Sequence, residues 1–348
     1  MGSRTSPVQS LPAALTRWTS DIERALRDVA LPTGELLGRM AAYHMGWVEA
    51  DGSEAGATAG KRIRPSLVCW AAEACGGSLS EALPAACAVE LTHNFTLVHD
   101  DVQDRDRLRR GRETVWAVWG EAQAINAGDA INAIALSTLL PPATAPLEVQ
   151  ARGGQAVAAL LRVELEVIEG QTLDLEHECR PDTPPSIYLR MIEAKTGALL
   201  GGSLQLGGIV AGATPTVTEQ LRLAGRLLGV AFQLRDDWLG VWGEPALTGK
   251  SRENDLARRK LTYPVVRAFE RAEAAQRREL VALYESRGPA QEPRIRQLLE
   301  ALGGPELTAR SAAEAAAHAV QAIDGCGLDS TAVEELADVA RYFAERNR

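Results

Sequence analysis

An all-α fold is predicted for this chain by three observations. Helix-compatible runs follow one another almost without a gap along its 348 residues. The alternation of apolar and polar residues that marks half-buried strands is hard to find between turn signals. The composition is 46% hydrophobic but only 5% aromatic, which suits helices packed through Ala, Leu and Val. Length alone allows two domains, yet no long linker or compositional shift divides the chain. One helical domain over residues 1–348 is expected, with the polar start, about 1–12, disordered.

The elements follow from their punctuation. Residues 13–48 read as helices broken near Pro32-Thr33-Gly34, and the small, Gly-rich stretch 51–60 reads as a loop. A helix starts at Pro65, where a fixed φ and a missing N–H suit the first position, and stops at Gly76-Gly77. Pro84 opens a long helix to about Arg107, and another covers Thr114 to Leu140. Pro141-Pro142 and Pro146 break the chain. Helices follow at Glu148–His177, Ser186–Gly212 and Thr218–Val241, separated by the Pro-rich 180–185 and by Thr214-Pro215. A polar loop over 243–255 precedes the last helices. No internal repeat appears.

Composition excludes some classes. A net charge of −9 argues against nucleic acid as the main partner, since phosphate backbones select basic surfaces. Cys69, Cys75, Cys87, Cys179 and Cys326 are scattered and lack metal spacing, so they read as thiols of a reducing compartment. No apolar run approaches the ~20 residues a membrane span needs, and the first residues lack the apolar stretch of a signal peptide. A cytoplasmic protein without membrane insertion is expected.

The strongest signal is His99-Asp100-Asp101-Val102-Gln103-Asp104. On a helix, Asp100, Asp101 and Asp104 fall within about 100° of arc. Carboxylates this close repel one another, and a hard cation relieves that; magnesium favours oxygen ligands plus substrate phosphates. The bland reading is a solvated acidic face, but the turns before it (Val89, Leu91, Phe95, Leu97, Val98) are strongly apolar. Phe232-Gln233-Leu234-Arg235-Asp236-Asp237 repeats the Asp pair at the end of a second apolar helix.

Basic residues accompany the acids. Gly60-Lys61-Arg62-Ile63-Arg64-Pro65 places three cations before a helix N-terminus, where they stabilise no helix and a phosphate explains them better. A solvated basic loop is the bland alternative. Arg109-Arg110-Gly111-Arg112 follows the first acidic cluster, and guanidinium forks recognise phosphate oxygens. His93, seven residues before Asp100, projects onto nearly the same face and is either a ligand or a satisfied core histidine. Lys195-Thr196-Gly197 interrupts an apolar helix, and Lys250 sits in the polar loop; each alone is weak.

In order along nearly the whole chain, these residues resemble the trans-isoprenyl diphosphate synthase family. The series is Gly-Lys-Arg-Ile-Arg-Pro, His93, the DDxxD motif, Arg-Arg-Gly, Gly128-Asp129, Gly170-Gln171 with Asp174, Lys195-Thr196-Gly197, and Phe232-Gln233 before the second Asp pair. The resemblance implies a helical bundle around a deep central cavity, usually a homodimer. It implies that Asp100, Asp101, Asp104, Asp236 and Asp237 bind magnesium, three ions when the allylic diphosphate (dimethylallyl, geranyl or farnesyl) is bound. Arg109, Lys195 and Lys250 would meet that diphosphate. Lys61, Arg64, His93 and Arg110 would hold the diphosphate of isopentenyl diphosphate. Thr196 and Gln233 would lie near the ionising carbon, with Asp174 behind.

The implied chemistry needs no enzyme nucleophile: the allylic carbon–oxygen bond breaks to a delocalised cation, which the isopentenyl double bond attacks. Chain growth is expected to stop on a floor formed by Phe95, Thr96 and Thr92. A single aromatic five residues before an uninterrupted DDxxD resembles makers of geranylgeranyl diphosphate, with farnesyl diphosphate the alternative. Phe95 nevertheless projects well away from Asp100, so it is otherwise ordinary core. Gly240, Glu113 and Trp116 depart from the family pattern. A terpene cyclase has no use for the second basic pocket, and a non-catalytic subunit should have lost its acidic clusters.

Overall fold

The computed structural model describes residues 10–29, 35–56, 60–178, 180, 182–243, 256, 259–286 and 291–347. They are helical almost throughout and form two compact units: Ala13–Glu164 with Gly202–Leu221, and Leu165–Gly201 with Arg222–Arg348.

The first unit carries a 3-10 turn at Ala13–Leu15, α1 (Thr19–Asp28), α2 (Glu35–His44), α3 (Ile63–Ala74), α4 (Leu79–Gln103), α5 (Val115–Trp119), α6 (Glu121–Thr138) and the first half of α7 (Leu147–His177). Helix α4 starts at Leu79, five residues before the expected Pro84. Ser78 and Glu81 close a capping box: the Ser78 N–H donates to Glu81 at 2.9 Å and the Glu81 N–H to Ser78 Oγ. Pro84 then sits inside the helix, costing one early backbone hydrogen bond. Likewise α3 starts at Ile63 rather than Pro65.

Helix α4 packs along α3 and α6. The approach to α6 is close because position 128 is glycine: a Cβ there would lie 2.2 Å from His99 Nε2. The single helix expected over 114–140 is two helices, because Gly120 turns the chain with φ +87°. Arg109-Arg110-Gly111-Arg112 is not helix or plain loop but a hairpin, β1 (Leu108–Arg109) against β2 (Arg112–Glu113). Both loop residues, Arg110 and Gly111, have positive φ, the requirement of a tight two-residue turn.

Glu164 of α7 is a carboxyl in this core, 5% exposed. It accepts 3.4 Å hydrogen bonds from Thr92 of α4 and Asn132 of α6. Burial raises its pKa, opposed by those two bonds. A raised carboxyl stabilises the fold most at low pH, and that contribution is lost as pH rises through the folded-state pKa. Glu164→Gln is therefore expected to melt near wild type at pH 4 but to gain roughly 1 kcal/mol at pH 8. Equal melting of the two proteins at both pH values would contradict this.

The second unit holds α8 (Pro185–Ile192), a π-helical turn (Glu193–Gly197) leading into the start of α9 (Ala198–Val210), whose residues from Gly202 on belong to the first unit, and most of α10 (Pro215–Trp242). It ends in α11 (Tyr263–Arg271), α12 (Ala274–Glu285), α13 (Glu292–Ala301), α14 (Gly304–Gln321) and α15 (Ser330–Glu345). Its separate core includes Val241, Val265, Phe269, Leu280, Ile295 and Leu299. The run expected as one helix over 186–212 is thus broken by a wide turn at Lys195-Thr196. No described helix is long and apolar enough to cross a membrane. Cys69, Cys75, Cys87 and Cys326 stand outside any disulfide, while burial pushes the Cys69 and Cys87 thiols up to about 12, which makes them inert. Cys179 lies outside the described residues.

Candidate active site

In the first unit the acidic motif ends α4. Asp101 is 2% exposed. Its Oδ1 accepts from Arg109 Nε at 2.8 Å and lies 2.7 Å from Nη2 in an ion pair, while its Oδ2 is buried with no hydrogen-bond partner. Burial raises its pKa against the pull of Arg109. An orphaned buried carboxylate oxygen is a costly feature and fits an electropositive ligand. Asp100 is half-buried and Asp104 exposed at the helix C-cap. Among the described residues no three carboxylate, imidazole or thiol groups converge on one point. A hard cation here would keep few carboxylates and complete its shell with phosphate oxygens and water, which suits magnesium.

The basic residues separate by role. Arg62 caps α3 in a left-handed conformation and is buried between Glu23 and Glu90, so its charge is spent inside the unit. Arg64 Nη1 lies 3.2 Å from His93 Nε2, and Arg64 Nε is buried without a partner. Burial lowers the Arg64 pKa. Lys61 is exposed. Arg110 is at the rim with no salt bridge to a described residue, and Gly60 lets it in: a Cβ at 60 would lie 3.1 Å from Arg110 Nη1. His93 is held neutral, first by burial and then by Arg64 and Arg110. Two cations that no described carboxylate bridges, beside a neutral histidine, form an anion-binding arrangement.

This arrangement borders a cavity of about 550 Å3 lined by His44, Asn94, Leu97, Asp101, Arg109 and Arg110, among others. Sequence reading missed His44 and Asn94. His44 closes α2, and burial, then Arg109 and Arg110, depress its pKa to about 3. A histidine whole helices away from its neighbours leaves no local signal.

The three positions expected to limit product length lie on α4. Thr92 is fully buried and bonded to Glu164. Phe95 is buried edge-on against His99, centroids 5.7 Å apart. Thr96 is half-buried, its Oγ1 donating to His93 O at 2.8 Å.

In the second unit the π-helical turn presents Lys195 and Thr196. Lys195 Nζ meets Asp174 Oδ2 at 2.6 Å, and Thr196 Oγ1 donates to Gln233 Oε1 at 3.1 Å. Gln233 Nε2 donates to Asp237 Oδ1 at 3.1 Å. Asp237 Oδ2 accepts from the Tyr188 hydroxyl and, at 3.0 Å, from the Tyr263 N–H. Complete burial pushes the Asp237 carboxyl up to about 7. Asp236 is half-buried and pairs with Arg346 Nη2 at 2.9 Å; Arg346 lies over the Phe232 ring at 3.7 Å. Tyr188, Tyr263 and Arg346 had no motif to announce them. Gly240 is buried, and Lys250 lies outside the described residues.

Comparison with known proteins is consistent across sequence and structure. The polyprenyl synthetase family model matches residues 48–302. A (2E,6E)-farnesyl diphosphate synthase of Mycobacterium bovis is 38% identical over 354 residues, covering 99% of this chain and 94% of the relative. A geranylgeranyl diphosphate synthase of Mycobacterium tuberculosis is 42% identical over 318 residues, covering 89% and 88%. The crystal structure of a polyprenyl synthetase from Streptomyces coelicolor superposes with a TM-score of 0.85 at 35% identity, covering 95% of this chain and 98% of that one. A polyprenyl synthase from Caulobacter crescentus, solved with calcium and isoprenyl diphosphate, gives 0.80 at 28% identity, covering 98% and 100%.

Proposed function

The chain belongs to the trans-isoprenyl diphosphate synthase family, prenyltransferases that join isopentenyl diphosphate to an allylic diphosphate, and we propose geranylgeranyl diphosphate as its main product. The family works with divalent metal ions; we assign magnesium to Asp100, Asp101, Asp104, Asp236 and Asp237, three ions with the allylic substrate bound. The observation that carries the assignment is the orphaned Oδ2 of Asp101 in the same unit as Arg64 and Arg110, cations that no described carboxylate bridges.

When bound, the metal supplies Lewis-acid neutralisation of the leaving diphosphate. Arg109, held by Asp101, and Lys195, held by Asp174, orient the allylic diphosphate, with Lys250 as a third cation. Lys61, Arg64 and Arg110 bind the diphosphate of isopentenyl diphosphate, and neutral His93 orients Arg64 without adding charge. The Thr196 hydroxyl and Gln233 amide, linked to each other, offer oxygen dipoles to the positive carbon. The released diphosphate takes the proton, since no described side chain is assigned as a base.

Farnesyl diphosphate is the second reading for the product, favoured by the relative that spans 99% of the chain. The test is incubation with isopentenyl diphosphate and each of dimethylallyl, geranyl and farnesyl diphosphate, with products identified by mass spectrometry. A twenty-carbon product is expected, and Phe95→Ala should lengthen it. A product stopping at fifteen carbons would replace the assignment, and an active Phe95→Ala enzyme with unchanged product would move the limit elsewhere.

A second copy of the chain is the proposed partner of α7, in a reducing cytoplasm that suits the four cysteines outside any disulfide. Leu161, Leu165, Ile168 and Leu175 repeat at four and seven residues along that helix, with Leu165 67% and Ile168 52% exposed. A self-complementary stripe of this kind is what a two-fold dimer covers. Mass photometry should show a dimer for wild type and a monomer for Leu165→Glu with Ile168→Glu; equal masses would contradict it.

A further inference from the structure

The first unit has a second cavity, of about 570 Å3, lined by none of the residues assigned above. Its lining includes Arg152, Gln155, Ala158 and Arg162 of α7, and Gln205 and Ile209 of α9. The start of α10, Pro215 and Thr218, closes one end. Its size falls within the range of small-molecule sites.

Gln205 is the informative residue. It is 8% exposed and lines the cavity, and its side-chain amide makes no hydrogen bond to a described residue. The amide is therefore turned to the cavity, where water or a ligand must satisfy it. Around it the charges are mostly positive. Arg162 is exposed and has no salt bridge to a described residue. Arg152 reaches Val210 O at 3.3 Å and meets Glu81 only at 3.8 Å. The first turn of α10 has no acidic residue to complement its N-terminal N–H groups. Glu219 is the single acid in the lining. Ala158, Ile209 and Ala213 add an apolar side.

We propose that this cavity binds an anionic amphiphile, its phosphate or carboxylate head on Arg152, Arg162 and the Gln205 amide and its short apolar chain along Ala158 and Ile209. Neither substrate diphosphate is placed here, so the inference is independent of the product assignment. Head chemistry alone does not separate a phosphorylated isoprenoid from a fatty carboxylate.

The experiment uses the full chain with its active site filled by magnesium and inorganic diphosphate, titrated calorimetrically with decyl phosphate and, separately, with decanoate. One equivalent of ligand is expected to bind wild type. Arg152→Met and Gln205→Leu should each weaken that event about tenfold or more, the effect of one lost hydrogen bond to a charged group. Binding of decyl phosphate alone assigns the head as phosphate, and comparable binding of both assigns it as any small anion. No binding of either, or binding unchanged in both variants, overturns the proposal. Thermal melting adds a readout that a failed ligand choice does not touch. Gln205→Leu removes only a cavity-facing amide and should melt within about 1 kcal/mol of wild type without ligand. A variant that melts further below wild type would show that the amide is already satisfied, and would remove the premise.

Discussion

Asp101→Asn is expected to lower turnover by at least about 100-fold, the cost of removing one pre-placed electrostatic stabiliser. The change keeps the shape of the side chain but removes its charge and puts an N–H2 group where an acceptor stood. Arg109 already occupies Oδ1, so Oδ2 alone remains for a cation. The amide either turns its nitrogen to that position, and repels the metal, or turns it to Arg109, and loses the ion pair that orients the guanidinium. Both outcomes affect the diphosphate end of the reaction. Asp104→Asn, at an exposed C-cap position, should cost less, roughly tenfold. Steady-state rates across a magnesium titration, with manganese binding to the protein alone as a second readout, separate metal loss from misfolding. Wild-type turnover and metal affinity in Asp101→Asn would remove the metal assignment from this carboxylate.

The helical fold was legible because its signals are local: apolar periodicity, the Gly76-Gly77 stop, the Pro141-Pro142 break. Boundaries failed where a local signal had two meanings. Pro84 reads as a helix start, yet the Ser78–Glu81 box outcompetes it and the helix absorbs the proline. The Arg109–Arg112 hairpin is too short for alternation to register, and only the Gly at its second loop position hinted at it. Motif spacing identified the acidic and basic clusters, but not the division of labour within them. Nothing in Gly-Lys-Arg-Ile-Arg-Pro says that Arg62 bonds Glu23 and Glu90 while Arg64 meets His93 instead. Partners that come from remote segments, such as Tyr188 and Tyr263 on Asp237, or Arg346 on Asp236, leave no trace near the motif they complete.

Gly170→Ala is expected to destabilise the protein by about 3 kcal/mol and to cut turnover by about 100-fold. The reason lies in the π-helical turn at Glu193–Gly197, a wide backbone feature often kept at functional sites. Glycines let neighbouring helices approach it on two sides. A Cβ at 170 on α7 would lie 2.3 Å from Lys195 N and 2.7 Å from Lys195 Cα. A Cβ at 229 on α10 would lie 2.4 Å from Gly197 Cα. These are backbone atoms, so no rotamer change relieves the clash, and α7 and the turn must separate. The side of the turn that moves carries Lys195, whose Nζ sits 2.6 Å from Asp174 on the same α7. A shift of about 1 Å breaks that contact and misplaces the cation, which costs rate even in molecules that remain folded. Gly154→Ala on the same helix provides the contrast. Its Cβ would meet nothing within 4 Å, so it should gain roughly 0.5–1 kcal/mol from the better helix former. Urea melts and steady-state rates of the two variants decide the matter. If Gly170→Ala melts with Gly154→Ala and keeps wild-type turnover, the turn is not gripped through Gly170 and Lys195 owes its position to something else.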